Sequence, residues 1–409
     1  MVNKLRTVIR LGLALGLLGT LFLYGGPFGP LIAASGITVV ESEAEHRFAQ
    51  RITFRLEVAS EAEITQVYLF FHAAGDEWTE TVDLVEEPEL DLTREITYVH
   101  NLRDSPLPPF ATVSFWWQIE DAAGNTLTTD PKQFEYTDNR FQWEQLTSGD
   151  ITVHWVEGQG DPAFGQTVLD IAQASVEEIN AELRAPVPAS IAIYIYDSQQ
   201  NLEAAMALTG RDWAGGQARP ELGVIVLAIP HEQGYASRMK RFIPHEITHL
   251  LTYQLVTPAG YRYVPEWLDE GLATANERLP EPDYALALEK AREEGRLIPL
   301  KDLCDPFSPG RQTALLAYAQ SGSLVQFIRE EYGAEGIRAL LAAYADGAGC
   351  AGGVQEALKV SLSGLETAWR TSLTPKSPWQ VWIEQIGVWA GLWLLMLLAA
   401  LPMIGGLRR

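Results

Sequence analysis

Cysteine is nearly absent from this chain: Cys304 and Cys350 are the only two in 409 residues, too far apart for a Cys-x-x-Cys metal or redox motif. They leave open either a single disulfide in an exported protein or two unrelated buried thiols. Basic residues are also scarce, with 30 Lys and Arg against 53 Asp and Glu and a net charge of −23. That balance argues against nucleic acid and against an anionic lipid surface as partners, since both favour a basic face. Internal repeats and low-complexity tracts are missing as well. Histidine is sparse, at seven residues. What remains is an apolar content of 47% with 20% charged residues, which is globular and sufficient for two folded domains at this length.

Both ends are apolar. Lys4, Arg6 and Arg10 precede the run LGLALGLLGTLFLY, and LIAASG follows with small residues near Ala34, so residues 1–35 have the layout of a secretory signal, or else of an N-terminal anchor. The stretch IGVWAGLWLLMLLAALPMIGG (386–406) carries no charge, has Trp379, Trp382 and Trp389 clustered about its beginning, and is followed by Arg408 and Arg409. This pattern predicts a single-pass transmembrane helix and short cytoplasmic tail over 376–409, with the body of the protein on the extracytoplasmic side of the cell membrane.

Between the ends the periodicity divides in two. Over 36–141, alternating stretches such as ITFRLEV and TVSFWWQIE, punctuated by AGDE and DAAGN, predict an all-β sandwich of immunoglobulin-like type. Its His46, His72 and His100 are scattered and read as packing or surface residues. From Gln142 onward, strands at 150–157, 189–197 and 222–230 and a helix at 165–183 precede a long helical stretch, which makes 142–375 an α+β domain joined by the prolyl linker TPKSPW to the apolar tail.

The chemistry centres on RFIPHEITHLLTY (241–253). Residues i and i+4 share a helix face, so His245 and His249 are spaced as metal ligands with Glu246 beside them. A chance His-Glu-x-x-His turns up in about one chain in a hundred of this composition, so context must decide. A catalytic zinc takes three protein ligands, and VPEWLDEGLATANE (264–277) offers Glu270 on a second helix begun by Pro265. Gly271 and Ala273 are small enough to let that helix approach the first. Asp269 and Glu266 are placed to be solvated or to orient a ligand histidine, and His231 is incidental.

HEITH followed by WLDEGLA resembles the gluzincin metallopeptidases, most closely the peptidase MA-like domains of bacterial surface proteins, and more distantly the membrane aminopeptidases and thermolysin. The likeness covers about residues 142–373. It implies His245, His249 and Glu270 as ligands of Zn(2+), and Glu246 as general base. AYAQSGSLVQFI (317–328) resembles the aminopeptidase helix that carries a transition-state tyrosine, which implies that role for Tyr318. Twenty residues separate His249 from Glu270, slightly more than in the aminopeptidases. The edge strand expected over 215–227 lacks their Gly-Ala-Met-Glu-Asn motif for a free α-amine, and this departure points to an endopeptidase, or an enzyme with one narrow target, acting on peptides or proteins rather than to an aminopeptidase. The alternative is a surface binding or adhesion protein that uses the peptidase-like domain as a scaffold; oligomeric state is left open.

Overall fold

The structure, a computed structural model, describes residues 36–84, 93–206, 215–307 and 310–374. Residues 1–35, expected to be a signal or an N-terminal anchor, and residues 376–409, expected to hold the membrane helix and tail, lie outside the described residues.

Among the described residues the N-terminal unit has eight strands: β1 (Ile37–Arg47), β2 (Arg51–Ser60), β3 (Ile64–Ala73), β4 (Glu80–Asp83), β5 (Thr93–Asn101), β6 (Thr112–Asp121), β7 (Thr126–Thr128) and β8 (Lys132–Glu135). They form two antiparallel sheets, one ordered β1-β2-β5 and the other β4-β3-β6-β7 with β8 also paired to β6. Strict alternation sends Ile52, Phe54, Leu56 and Val58 of β2 and Val113, Phe115, Trp117 and Ile119 of β6 into one shared core. Period-two burial is what the pleat dictates for a sheet with one face covered. The three histidines here are packing residues: His46 and His100 bond the Thr137 and Ser105 carbonyls, and His72 bonds that of Trp78.

The second unit opens with β9 (Trp143–Ser148), β10 (Ile151–Val156), α1 (Pro162–Leu183), β11 (Ile191–Tyr196), α2 (Gln199–Met206), β12 (Gly216–Arg219) and β13 (Val224–Ala228). Its mixed sheet has the order β12-β13-β11-β10-β9. The stretch 215–227 is therefore not one edge strand. It is a hairpin, turned at Pro220–Gly223 with Gly223 at φ +67°, in which only β12 lies at the edge. The rest is helical: α3 (Tyr235–Tyr261), α4 (Glu266–Ala275), α5 (Pro282–Glu293), α6 (Arg311–Ala345), α7 (Cys350–Leu358) and α8 (Leu362–Ser372).

The expected fold class, an α+β protein with a C-terminal transmembrane helix, needs correction in its last part. Among the described residues no helix is long and apolar enough to cross a membrane. The longest, α6, is broken at Gly333 and carries Arg329, Glu330, Glu331, Glu335 and Arg338, a charge density that no bilayer-spanning helix tolerates. What stands is α+β with N-terminal β-sheets.

The two units share apolar surface. Strands β11 and β13 bury both faces: Ile193, Ile195, Ile225 and Leu227 point to the helices, whereas Tyr194, Tyr196, Val224 and Val226 join the core of the N-terminal sheets. Between the units, the fully buried Asp138 accepts from the Tyr196 hydroxyl at 2.8 Å and from Arg140 at 2.6 Å. These two donors supply the partners that a buried carboxylate requires.

Candidate metal centre

Helix α3 carries both histidines. Pro244 stands well inside it, ten residues from its start, and the helix breaks only at Thr257, whose φ of 65° precedes Pro258. Ile243, Ile247, Leu250 and Leu251 are fully buried, and the opposite stripe, with His245 and His249, faces Glu270. Helix α4 begins after Pro265, which has an extended backbone suited to a helix entry. Gly271 on this helix does not serve contact with α3, as the sequence suggests. A Cβ there would lie 2.7 Å from the Ser321 carbonyl oxygen and 2.8 Å from Val325 Cγ2, both on α6. Gly322 of α6 reciprocates, since a Cβ on it would meet Thr274 Cγ2 at 2.8 Å. Small residues on both helices thus let α6, with Tyr318, lie close against the helix of Glu270.

One ligand atom from each of His245, His249 and Glu270 falls within a 4.8 Å cluster. Glu270 Oε2 is 3.3 Å from His245 Nε2 and 3.6 Å from His249 Nε2. It is buried and has no hydrogen-bond partner. An orphaned buried carboxylate oxygen facing two imidazole nitrogens is costly unless a cation completes it. The donor set of two imidazoles and one carboxylate suits zinc in a site with an open fourth position.

The outer nitrogens are also engaged. His245 Nδ1 lies 3.2 Å from Glu277 Oε1, and His249 Nδ1 lies 3.1 Å from Asp269 Oδ2, although the N–H there is poorly aligned for a hydrogen bond. Tyr261 donates to that Asp269 oxygen at 2.7 Å. Such carboxylates fix the tautomer and orientation of ligand histidines. Burial alone would lower the His245 pKa, but Glu270, Glu277 and Glu246 outweigh it and raise it to about 9. His249 is likewise raised, against its burial, by Asp269 and Glu270. Glu270 is held far below the usual carboxylate range because the two histidines overcome its desolvation. A bound cation would compete with protons for these same atoms.

Glu246 does not reach this cluster as a ligand. It is buried beside β12, where the Ala218 N–H donates to it and desolvation raises its pKa. Gly216 makes that approach possible: a Cβ there would fall 3.0 Å from Glu246 Oε1 and 2.3 Å from Leu227 Cδ2. Tyr318 faces the cluster, its ring 6.3 Å from that of His245 and edge-on to Phe307 at 5.4 Å. Its pKa is pushed up by burial and by the Glu270 and Glu266 charges, so it stays a hydroxyl donor. Glu266 accepts instead from the Phe307 N–H at 3.2 Å, and the exposed His231 packs on Phe164 and Tyr235, away from the centre.

Residues 171–375, about half of the chain, match the Peptidase MA superfamily. The chain belongs to that superfamily. No curated protein matches it at a significant level. Among solved structures, a bromine derivative of BhCBM56 shares 12% identity over 23% of this chain and 88% of its own, with a TM-score of 0.17. A protein assigned as ApaA from Bordetella pertussis shares 16% over 25% and 94%, at 0.18. A polysaccharide deacetylase from Bacillus cereus shares 8% over 46% and 60%, at 0.20. Likeness at such scores carries no argument about this Peptidase MA protein.

Within the Peptidase MA domain, sequence reasoning passed over Glu277. It lies two residues beyond the end of α4, where no helical spacing marks it; the sequence shows only that it follows Glu270 by seven residues. Cys304 and Cys350, left open by the sequence, are joined in a disulfide with Cα atoms 6.0 Å apart.

Proposed function

We propose that this Peptidase MA protein is a zinc-dependent endopeptidase that works outside the cytoplasm. The observation that carries the reading is the orphaned Glu270 oxygen between two histidines, with the separate carboxylate of Glu246 buried alongside. Zinc held by His245, His249 and Glu270 would supply a Lewis acid that acidifies water and polarises a carbonyl. Glu246 would take the proton of the attacking water and return it to the leaving amine, a role its raised pKa suits. Tyr318 would donate a hydrogen bond to the oxyanion as it forms. The endopeptidase reading rests on the absence, over Gly215–Arg219, of the aminopeptidase sequence for a free α-amine. The disulfide supports an oxidising, extracytoplasmic compartment.

Metal analysis of the purified protein, joined to peptide-library digestion by wild type and Glu246→Gln, tests the reading. About one equivalent of zinc is expected in both, with cleavage in the variant lower by about a thousandfold or more. Equal cleavage by the two would refute the role of Glu246. Undiminished zinc in Glu270→Ala would refute the ligand set.

A further inference from the structure

The N-terminal sheets place a turn beside the β12–β13 hairpin. A Cβ on Gly216 would lie 3.0 Å from Glu246 Oε1, and Arg219, where β12 ends, is three residues on, so the β12–β13 turn begins about 10 Å along the strand from Glu246. The β3–β4 turn rests on it in its own right. A Cβ on Gly75, which has φ +90°, would lie 3.1 Å from Glu221 Cγ and 3.3 Å from Leu222 Cδ2. This β3–β4 turn is pinned by hydrogen bonds from Ala74 N–H to Thr112 O at 2.9 Å, from Asp76 N–H to Ala73 O at 3.0 Å, and between His72 Nδ1 and Trp78 O at 3.1 Å. Where it rejoins β4, Trp78 is 71% exposed, whereas Trp117, Trp267 and Trp369 are buried. Three residues from Gly75, it stands within about 10 Å of the β12–β13 turn.

A single exposed aromatic is ordinary; the position of this one is the argument. Substrate lying along the free edge of β12 past Glu246 would leave the sheet at Arg219, next to this turn. Asp76 and Glu77 come just before Trp78 in the sequence and Glu80 two residues after it, and a tryptophan face is the best aromatic partner for a cation.

We infer that Trp78 is a specificity-determining residue, forming with its turn a subsite for a Lys or Arg side chain of the substrate about four to six extended residues from the bond attacked, at roughly 3.3 Å per residue. The inference rests on the peptidase reading, because it takes β12 as the path of a peptide.

The test is made on the full-length, zinc-loaded Glu246→Gln protein, which binds without turnover. Dodecapeptides with one Arg walked along an otherwise neutral sequence are compared with Ala and Glu counterparts by calorimetry. Arg at one or two positions is expected to bind about five- to tenfold more tightly than Ala, with Glu weakest. Trp78→Ala should erase that preference, and Trp78→Phe should restore part of it. An Arg preference that persists undiminished in Trp78→Ala, or none in the parent, overturns the inference. Cleavage by the Glu246 form is read separately: binding with the Trp78 signature but no hydrolysis would sink the peptidase reading and leave the subsite standing.

Discussion

Removing the Glu277 carboxylate probes how much of the metal centre resides outside its ligands. Its Oε1 lies 3.2 Å from His245 Nδ1, and its side chain is 2% exposed, so water cannot substitute for it. With the acceptor gone, His245 loses the partner that holds Nδ1 protonated and Nε2 turned toward Glu270. Loss of such an outer partner weakens metal binding by about 10- to 100-fold, or about 1.4 to 2.8 kcal/mol. Glu277→Gln keeps an oxygen acceptor and should fall near the lower figure; Glu277→Ala should reach the upper one. The assay is competition for zinc against a chelator of known affinity, with the denaturation midpoint of the metal-free protein followed in parallel. Nitrogen-15 NMR of the histidines adds a readout that packing loss alone would not move, because the tautomer at His245 should become mixed. Wild-type zinc affinity in Glu277→Ala would refute the reasoning.

Gly216→Ala should retain zinc but lower kcat by about tenfold or more, since its Cβ meets Leu227 and Glu246 Oε1; full activity would show that β12 yields freely. Replacing Cys304 and Cys350 by Ser opens a bridge of 46-residue separation, and chain entropy puts the loss at about 4 kcal/mol; a change below about 1 kcal/mol in urea unfolding would count against it. His154, stacked 4.3 Å from Tyr194, has its pKa lowered by burial from 6.5 to about 4. The unfolded chain takes up that proton first, so the stabilising contribution is whole above about pH 6.5 and is lost as pH falls toward 4. Allowing for solvent screening of a half-buried ring, the loss is about 2 kcal/mol, and His154→Phe should flatten the stability profile by that amount across this window. Parallel profiles for the two proteins would contradict it.

The local pattern brought the candidate cluster of His245, His249 and Glu270 into view. His245, Glu246 and His249 were legible because a helix repeats its face every three to four residues, and Glu270 because zinc needs a third donor. The partners of those ligands were less visible. Asp269 is adjacent in sequence to Glu270 and Glu277 follows just after the end of α4, yet which nitrogen each meets depends on how α4 crosses α3. That crossing is set by Gly271 and Gly322 at a different contact, between α4 and α6. No periodicity within α4 encodes its choice of neighbour.

The strands teach a related lesson about the interface. IAIYIY and VIVLA read as buried strands because they lack polar alternation, and a run of that kind means two covered faces. The second cover could have been helices, as in many α/β folds, or another unit. Composition within the runs discriminates. In β11 the aliphatic Ile191, Ile193 and Ile195 go to the helices, while Tyr194 and Tyr196 go to the N-terminal sheets, where Tyr196 finds Asp138 for its hydroxyl. Tyrosine at alternate positions of an otherwise aliphatic strand is suited to a seam where apolar packing must end on a polar partner. It is this seam that holds the β12–β13 hairpin in place against the N-terminal unit. A substitution such as Tyr196→Phe, which strands the Asp138 carboxylate with Arg140 alone, should therefore loosen the hairpin as well as the interface. It should cost about 1 to 3 kcal/mol of stability and, through β12, lower kcat without changing zinc content. A loss of stability with kcat intact would show that the hairpin is positioned by α3 alone.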